Sequence, residues 1–204
     1  MMRTPKILLF LFISCLCFGC QSSLRRESRI EKQDDVYVLS FANLSFSVSA
    51  GKGGRIVSFK CEDRELLTSD SVHSKYYGAT FWLSPQSEYW PQYQCVDELP
   101  YQAEIDKQIL RLVSPPDSIS GVSVTKEFSI SERDSSILIH YSVRNVSRQL
   151  KRLAPWDVTR VYGGLSFFPV GETDRMNKSD VTGGYEDKGM VWVPCPDGTN
   201  ERGQ

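Results

Sequence analysis

The sequence predicts an all-β protein, an antiparallel β-sandwich, and three observations carry that prediction. Apolar and polar residues alternate with period two in one short segment after another. Turn-forming clusters of Gly, Pro, Asp and Ser separate those segments at short intervals. No window keeps an i, i+3, i+4, i+7 apolar stripe with helix caps. Many short, half-buried strands with regular turns close two sheets over one core. No repeat at solenoid or propeller period is present.

Taken in chain order, the first strand candidate covers 36–41. Leu44, Phe46 and Val48 then alternate with Ser45, Ser47 and Ser49. Gly51-Lys52-Gly53-Gly54 supplies a hairpin turn into 55–61; no helix follows, so it is not a phosphate cradle. Strands over 80–83 and 108–113 come next, and Pro115-Pro116-Asp117 turns the chain. Val122, Val124, Phe128 and Ile130 line one face of a strand whose single break is Lys126. Glu132 to Ser135 is a turn, and Ile137, Ile139, Tyr141 and Val143 alternate after it. Candidates over 154–162 and 165–170 are split by Gly163-Gly164, and Val191-Trp192-Val193 is the last. A turn from Pro194 to Asn200 follows, and a turn wants a second strand after it. The sandwich is therefore expected to be incomplete, with a truncated or disordered tail over 196–204.

The start of the chain carries a targeting signal. Arg3 and Lys6 precede an apolar run over 7–18 that stops at Gly19-Cys20. The run is shorter than the roughly 20 residues that span a bilayer. Leu16-Cys17-Phe18-Gly19-Cys20 resembles the lipobox of bacterial lipoproteins, with Cys17 where Leu is usual. The resemblance implies cleavage before Cys20 and lipidation of its thiol, with Cys15 a weaker alternative acceptor. Acyl chains at about 0.8 kcal/mol per buried CH₂ make a lasting anchor. The expected organisation is a signal peptide over 1–19, a flexible tether over 20–35 and a sandwich domain over 36–195. The expected place is the bacterial cell envelope, lipid-anchored in the outer membrane and facing the periplasm.

Composition narrows the partners. The 204 residues carry a formal net charge of −1 with both signs interspersed. The basic pairs Arg25-Arg26 and Lys151-Arg152 are too short for a nucleic-acid surface, so no nucleic-acid partner is expected. Beyond Cys20, the mature chain keeps Cys61, Cys95 and Cys195, with no CxxC and no His at metal spacing. They read either as one disulfide with a spare thiol or as small buried hydrophobes. No metal or cofactor is expected: no Walker loop, GxSxG, HExxH or Rossmann fingerprint occurs.

Chemistry concentrates in two places. Five aromatics lie among Gln, Glu and Pro over 81–93, read as a loop in which Trp82, Gln86, Glu88 and Trp90 are ligand-binding candidates. Flat ring faces pack on sugar C–H groups while amides and carboxylates take the hydroxyls; the bland alternative is rings that plug the end of the sandwich. The second place is Ala154 to Arg160, where Trp156, Val158 and Arg160 share one strand face and Asp157 and Thr159 the other. Trp156 and Arg160 are candidates there, against a core Trp beside a structural ion pair. The two histidines, His73 and His140, have no nucleophile or carboxylate at motif spacing. Glu88, Asp97, Glu98 and Asp157 are the carboxylates available to a glycosidase-like pair, whose separation the sequence does not give.

These residues resemble a family. Gly54-Arg55-Ile56-Val57-Ser58-Phe59 followed by Glu65-Leu66-Leu67 looks like the opening hairpin of galactose-mutarotase-like (aldose 1-epimerase-type) domains. Tyr77-Gly78-Ala79-Thr80-Phe81-Trp82 is similar to a stretch those proteins carry before a sugar-contacting segment. The strand pair from Val124 and from Leu138, ending at Asn145, is similar too. The phrases from Phe81 to Gln86 and from Ala154 to Pro169 are similar to those of an uncharacterised lipoprotein branch of that superfamily. The resemblance implies a large supersandwich with a carbohydrate cleft. It does not carry over the epimerase residues, two histidines and a glutamate. Trp82-Leu83-Ser84-Pro85-Gln86 follows where the first histidine stands, Trp156 occupies the place of the second, and the glutamate falls beyond Gln204. The expectation is a lipoprotein that binds carbohydrate without catalysis. A carbohydrate-active epimerase, lyase or hydrolase is the first alternative. A structural or interaction module without a small ligand is the second.

Overall fold

The computed structural model describes residues 28–91, 93–171 and 183–195, with Cys195 described by its backbone alone. The expected signal peptide, Cys20 and the expected tail over 196–204 lie outside those residues. The described chain is an antiparallel β-sandwich. One sheet holds β1 (Arg29–Gln33), β2 (Val36–Phe41), β3 (Leu44–Ser49), β4 (Arg55–Cys61), β5 (Arg64–Glu65), β6 (Ala79–Ser84) and, later in the chain, β11 (Ala154–Thr159). Their order is β1-β2-β3-β4-β6-β11, with the short β5 paired to β4. The facing sheet holds β7 (Gln102–Asp106), β8 (Ile109–Val113), β9 (Val122–Ser131) and β10 (Ser136–Asn145), in the order β10-β9-β8-β7.

The period-two pattern explains the core. Tyr37, Leu39, Phe46, Val48, Ile56 and Phe81 point inward from the first sheet. Leu110, Leu112, Val122, Val124 and Phe128 meet them from the second. The ring centroids of Phe46 and Phe128 lie 5.8 Å apart, and those of Phe81 and Tyr141 4.5 Å, so aromatic pairs tie the two sheets. A bulge between Ser47 and Val48 shifts the β3–β4 register, which lets Phe59 and Ile56 both serve the core side.

Four differences from the sequence expectation have physical causes. The stretch read as tether is not free throughout: Arg29–Gln33 pairs residue for residue with β2. Ile30 is its only apolar residue, so the backbone ladder and the turn at Asp34, with φ 56°, hold this edge strand rather than a period-two face. Strand β7 was not expected either: its two apolar residues are Ala103, which packs on the core, and Ile105, which is exposed. Two single helical turns occur, α1 (Gln86–Tyr89) and α2 (Gln94–Asp97), each too short to show a helical stripe. Lys126 does not break the inward face of β9; it occupies it at 1% exposure, its Nζ donating to the carbonyls of Gly53 (2.7 Å) and Gly54 (3.3 Å).

A small third sheet, β12 (Gly164–Pro169), β14 (Met190–Cys195) and β13 (Tyr185–Asp187) in that order, exposes most of its side chains, Phe167 and Leu165 included. Cys61 and Cys95 are free and half-buried, so these two do not form the disulfide that stood as one alternative. The side chain of Cys195 lies outside the described residues.

Candidate functional site

The site is built on the pairing of β6 with β11. Their register sets Trp82 opposite Trp156, Thr80 opposite Val158 and Phe81 opposite Asp157. Alternation sends Phe81 and Leu83 into the core and Thr80 and Trp82 to the other face. Trp90 joins them from the end of α1, where its N–H donates to the carbonyl of Gln86 (3.0 Å). The prolyl bonds Ser84-Pro85 and Trp90-Pro91 on either side of that helix are both cis. Ring centroids of Trp82 lie 5.3 Å from both Trp90 and Trp156, and those of Trp90 and Trp156 lie 6.2 Å apart. Trp82 is the floor, 5% exposed; Trp156 is half-buried, and Trp90 is 45% exposed. Three indoles from separate segments thus form one patch with a covered base and an accessible top.

Arg160 closes one side of the patch. Its guanidinium carbon sits 5.2 Å from the Trp82 ring centroid and 5.6 Å from that of Tyr76, a cation between two aromatic faces. Nη1 donates to Thr80 Oγ1 (3.2 Å) and to the Val158 carbonyl (3.3 Å). The backbone is fixed as firmly: Arg160 N donates to Gly78 O and Arg160 O accepts from Thr68 N, both at 2.9 Å. Gly78 sits at φ +63°, and a Cβ there would lie 2.1 Å from the Ile56 carbonyl oxygen, so only glycine lets this clamp form. Tyr76 is held in turn by His73, whose Nδ1 accepts from the N–H groups of Lys75 (3.1 Å) and Tyr76 (2.9 Å) and whose ring lies 4.9 Å from the tyrosine ring.

Behind the indoles lies a buried charge cluster. Arg55 Nη2 pairs with Asp97 Oδ2 at 3.1 Å, both groups almost fully covered, and Arg55 Nη1 donates to the Lys75 carbonyl (2.7 Å). Burial raises the Asp97 carboxyl's pKa even though Arg55, the Trp82 indole and Lys126 favour its charged form. Among the described residues Trp82 Nε1 and Asp97 Oδ1 are each buried without a partner at full hydrogen-bond geometry, and the indole N–H still favours the charged form of the carboxylate. Burial pulls Lys126 down to about 8 against the attraction of Asp97 and Asp157. Burial and the neighbouring Arg55 also lower Arg160 from its ordinary value.

The structure brings together four of the six ligand-binding candidates: Trp82, Trp90, Trp156 and Arg160. Gln86 and Glu88 instead sit exposed on α1, and no hydrogen bond among the described residues ties their side chains to the indoles. The segment over 81–93 is not one loop, since Phe81 and Tyr89 are buried in the core. Tyr76 and Arg55 were missed; the Tyr76-Tyr77 pair before the required Gly78 was the available signal. Three of the four carboxylates are committed elsewhere, Asp97 to Arg55, Glu98 to Lys75 (3.3 Å), and Asp157 to the hydroxyls of Tyr141 (2.9 Å) and Thr159 (3.1 Å), while Glu88 stays exposed on α1. His140 lies on the exposed face of β10, 3.1 Å from Glu127. A shallow groove of about 200 Å³ is lined by Asp35, Ser49, Lys52, Ser69, Asp70 and Tyr77, and no tryptophan lines it. Among the described residues no His, Cys, Asp and Glu group is placed to hold a metal, and no helix is long and apolar enough to cross a membrane. No protein-family model, no curated protein and no solved structure matches the chain.

Proposed function

We propose that this protein is a lipid-anchored envelope lipoprotein that binds carbohydrate on the Trp82–Trp90–Trp156 patch and does not epimerise it. The observation that carries the reading is the patch itself. Indoles from β6, β11 and the end of α1 meet at 5.3–6.2 Å, and the outermost stays 45% exposed. A large aromatic left at the surface on a buried aromatic base presents the apolar, flat face that sugar C–H groups pack against. The guanidinium edge beside it supplies donors for hydroxyls. The galactose-mutarotase-like supersandwich suggested by Tyr77-Gly78-Ala79-Thr80 fits this reading. So does the place of the patch on the β6–β11 pair.

The non-catalytic half rests on chemistry. Ring opening and closure need an acid and a base near neutral pH on either side of the sugar. The indole N–H does not titrate. His73 Nδ1 is taken up by two backbone donors, and His140 stands on β10 beside Glu127. The test is a glycan array followed by titration. Trp90→Ala and Trp156→Ala are expected to weaken binding of any captured glycan by about ten- to a hundredfold, the cost of roughly 1–3 kcal/mol for one lost ring. Trp82, being buried, is a stability residue and makes a poor probe. Unchanged affinity in both variants overturns the binding claim. Faster mutarotation of fresh α-galactose or α-glucose with the protein than in buffer overturns the non-catalytic claim.

A further inference from the structure

Arg160 is half-buried, held in place from both sides, and lacks a carboxylate partner. Among the described residues no Asp or Glu oxygen lies within ion-pair distance of it, whereas Arg55 and Lys75 each have one. Its two nearest acidic influences are spent: Asp97 on Arg55, and Asp157 on the hydroxyls of Tyr141 and Thr159. Arg160 is thus a half-buried guanidinium beside the patch without an ion-pair partner among the described residues, in a partly desolvated setting where an incoming anion gains most.

The geometry of the free donors is specific. A guanidinium has five N–H groups in a rigid fork. Nη1 spends its donors on Thr80 and the Val158 carbonyl, which leaves the Nε–Nη2 edge without a partner among the described residues. That edge presents two parallel N–H groups, the arrangement that matches a carboxylate bidentately. Tyr76 and Trp82 hold the plane of the fork, and the backbone bonds to Gly78 and Thr68 hold its root. The cost of ordering this side chain is thus met before any ligand arrives.

We propose that the tryptophan patch takes a sugar bearing a carboxylate, a uronic acid, whose carboxylate is gripped by Nε and Nη2 of Arg160 while its ring packs on Trp90 and Trp156. This inference rests on the carbohydrate reading above and names the class of sugar. A neutral sugar of the same shape makes the stacking contact but offers the fork only single hydroxyl acceptors in place of a bidentate carboxylate.

The experiment uses the full chain in detergent and matched pairs of ligands: oligogalacturonate, oligoglucuronate and oligomannuronate, each against its methyl ester, with a neutral galactan oligomer alongside. At least one acid is expected to bind tenfold or more tighter than its ester. The gap should narrow as salt rises. Arg160→Gln should erase the gap between acid and ester, and Arg160→Lys should keep only part of it. Near-ultraviolet circular dichroism of both variants reports whether the indole patch survives, and the acid–ester comparison on the unmodified protein decides the matter without any variant. If neutral sugars or esters bind and no acid outperforms its ester, the uronate inference fails while the carbohydrate reading stands. If no saccharide of either kind binds, both fail.

Discussion

Lys126 places an ammonium inside the sandwich, over the rings of Phe81 (5.7 Å) and Tyr101 (5.2 Å), with the Gly53 and Gly54 carbonyls as its acceptors. Burial disfavours its charged form, so the folded value falls from 10.5 to about 8. The sign follows from proton binding. Between about pH 8 and 10.5 the unfolded chain holds this proton more often than the folded one, so stability rises with pH across that window and is flat below it. The shift caps the effect at roughly 3 kcal/mol. Urea unfolding of wild type and Lys126→Met across pH 7–10.5 should show the wild type gaining on the variant above pH 8; parallel curves would refute the assignment. Arg55 and Asp97 make a second buried pair whose value lies in its completeness. Arg55→Ala strands Asp97 and is expected to cost about 3–5 kcal/mol in the same unfolding assay.

At the scale of elements, two local devices set the shape of the site. Glu65, in β5, gathers the turn that leads out of β4: its carboxylate accepts from Ser58 Oγ (2.5 Å) and from the N–H groups of Phe59 (2.9 Å), Leu66 (3.1 Å) and Leu67 (3.0 Å). Burial alone raises its pKa, but these four hydrogen bonds outweigh burial and hold it below 4.5. Its contribution is therefore fully present above about pH 4.5 and is lost as pH falls through the lowered value. Glu65→Gln should be less stable by roughly 1–3 kcal/mol at pH 7, a deficit that shrinks in acid-unfolding curves below pH 4.5. Gly78 is the second device. Alanine there combines a left-handed φ with a Cβ 2.1 Å from a carbonyl oxygen, and the backbone must shift. Gly78→Ala should lower the melting temperature by several degrees. It should also weaken glycan binding, because the bond from Arg160 N moves with it. Normal affinity in a destabilised variant would detach the clamp from the site.

For the molecule as a whole, the sandwich positions one patch at the β6–β11 pair, and the proposed lipid on Cys20 positions the sandwich at a membrane. The first strand begins at Arg29, inside the stretch over 20–35 that its polar residues suggested as a tether. Cys20→Ser is expected to move the protein from the membrane to the soluble fraction and to abolish labelled palmitate incorporation. Retention of both would place the anchor elsewhere.

Period-two alternation is written along each strand, so the all-β class and most strand positions were legible: Val36–Phe41 and Arg55–Cys61 stand residue for residue where the pattern put them. Edge strands such as β1 and β7 were not, because a ladder held by backbone groups needs no apolar face. The sequence also marked Trp82, Trp90, Trp156 and Arg160 as a chemistry-bearing set, since rings beside polar groups are unusual in a strand. Whether those rings met, and which was floor and which was surface, depended on pairing β6 with a strand some seventy residues later. Gln86 and Glu88 were named with them by proximity along the chain, but on α1 they stay exposed, with no hydrogen bond to the indoles among the described residues. Lys126 read as an interruption because hydropathy scores a side chain alone; the two carbonyls and two rings that accept it come from segments 25 to 73 residues distant, which only the closed sandwich brings within reach.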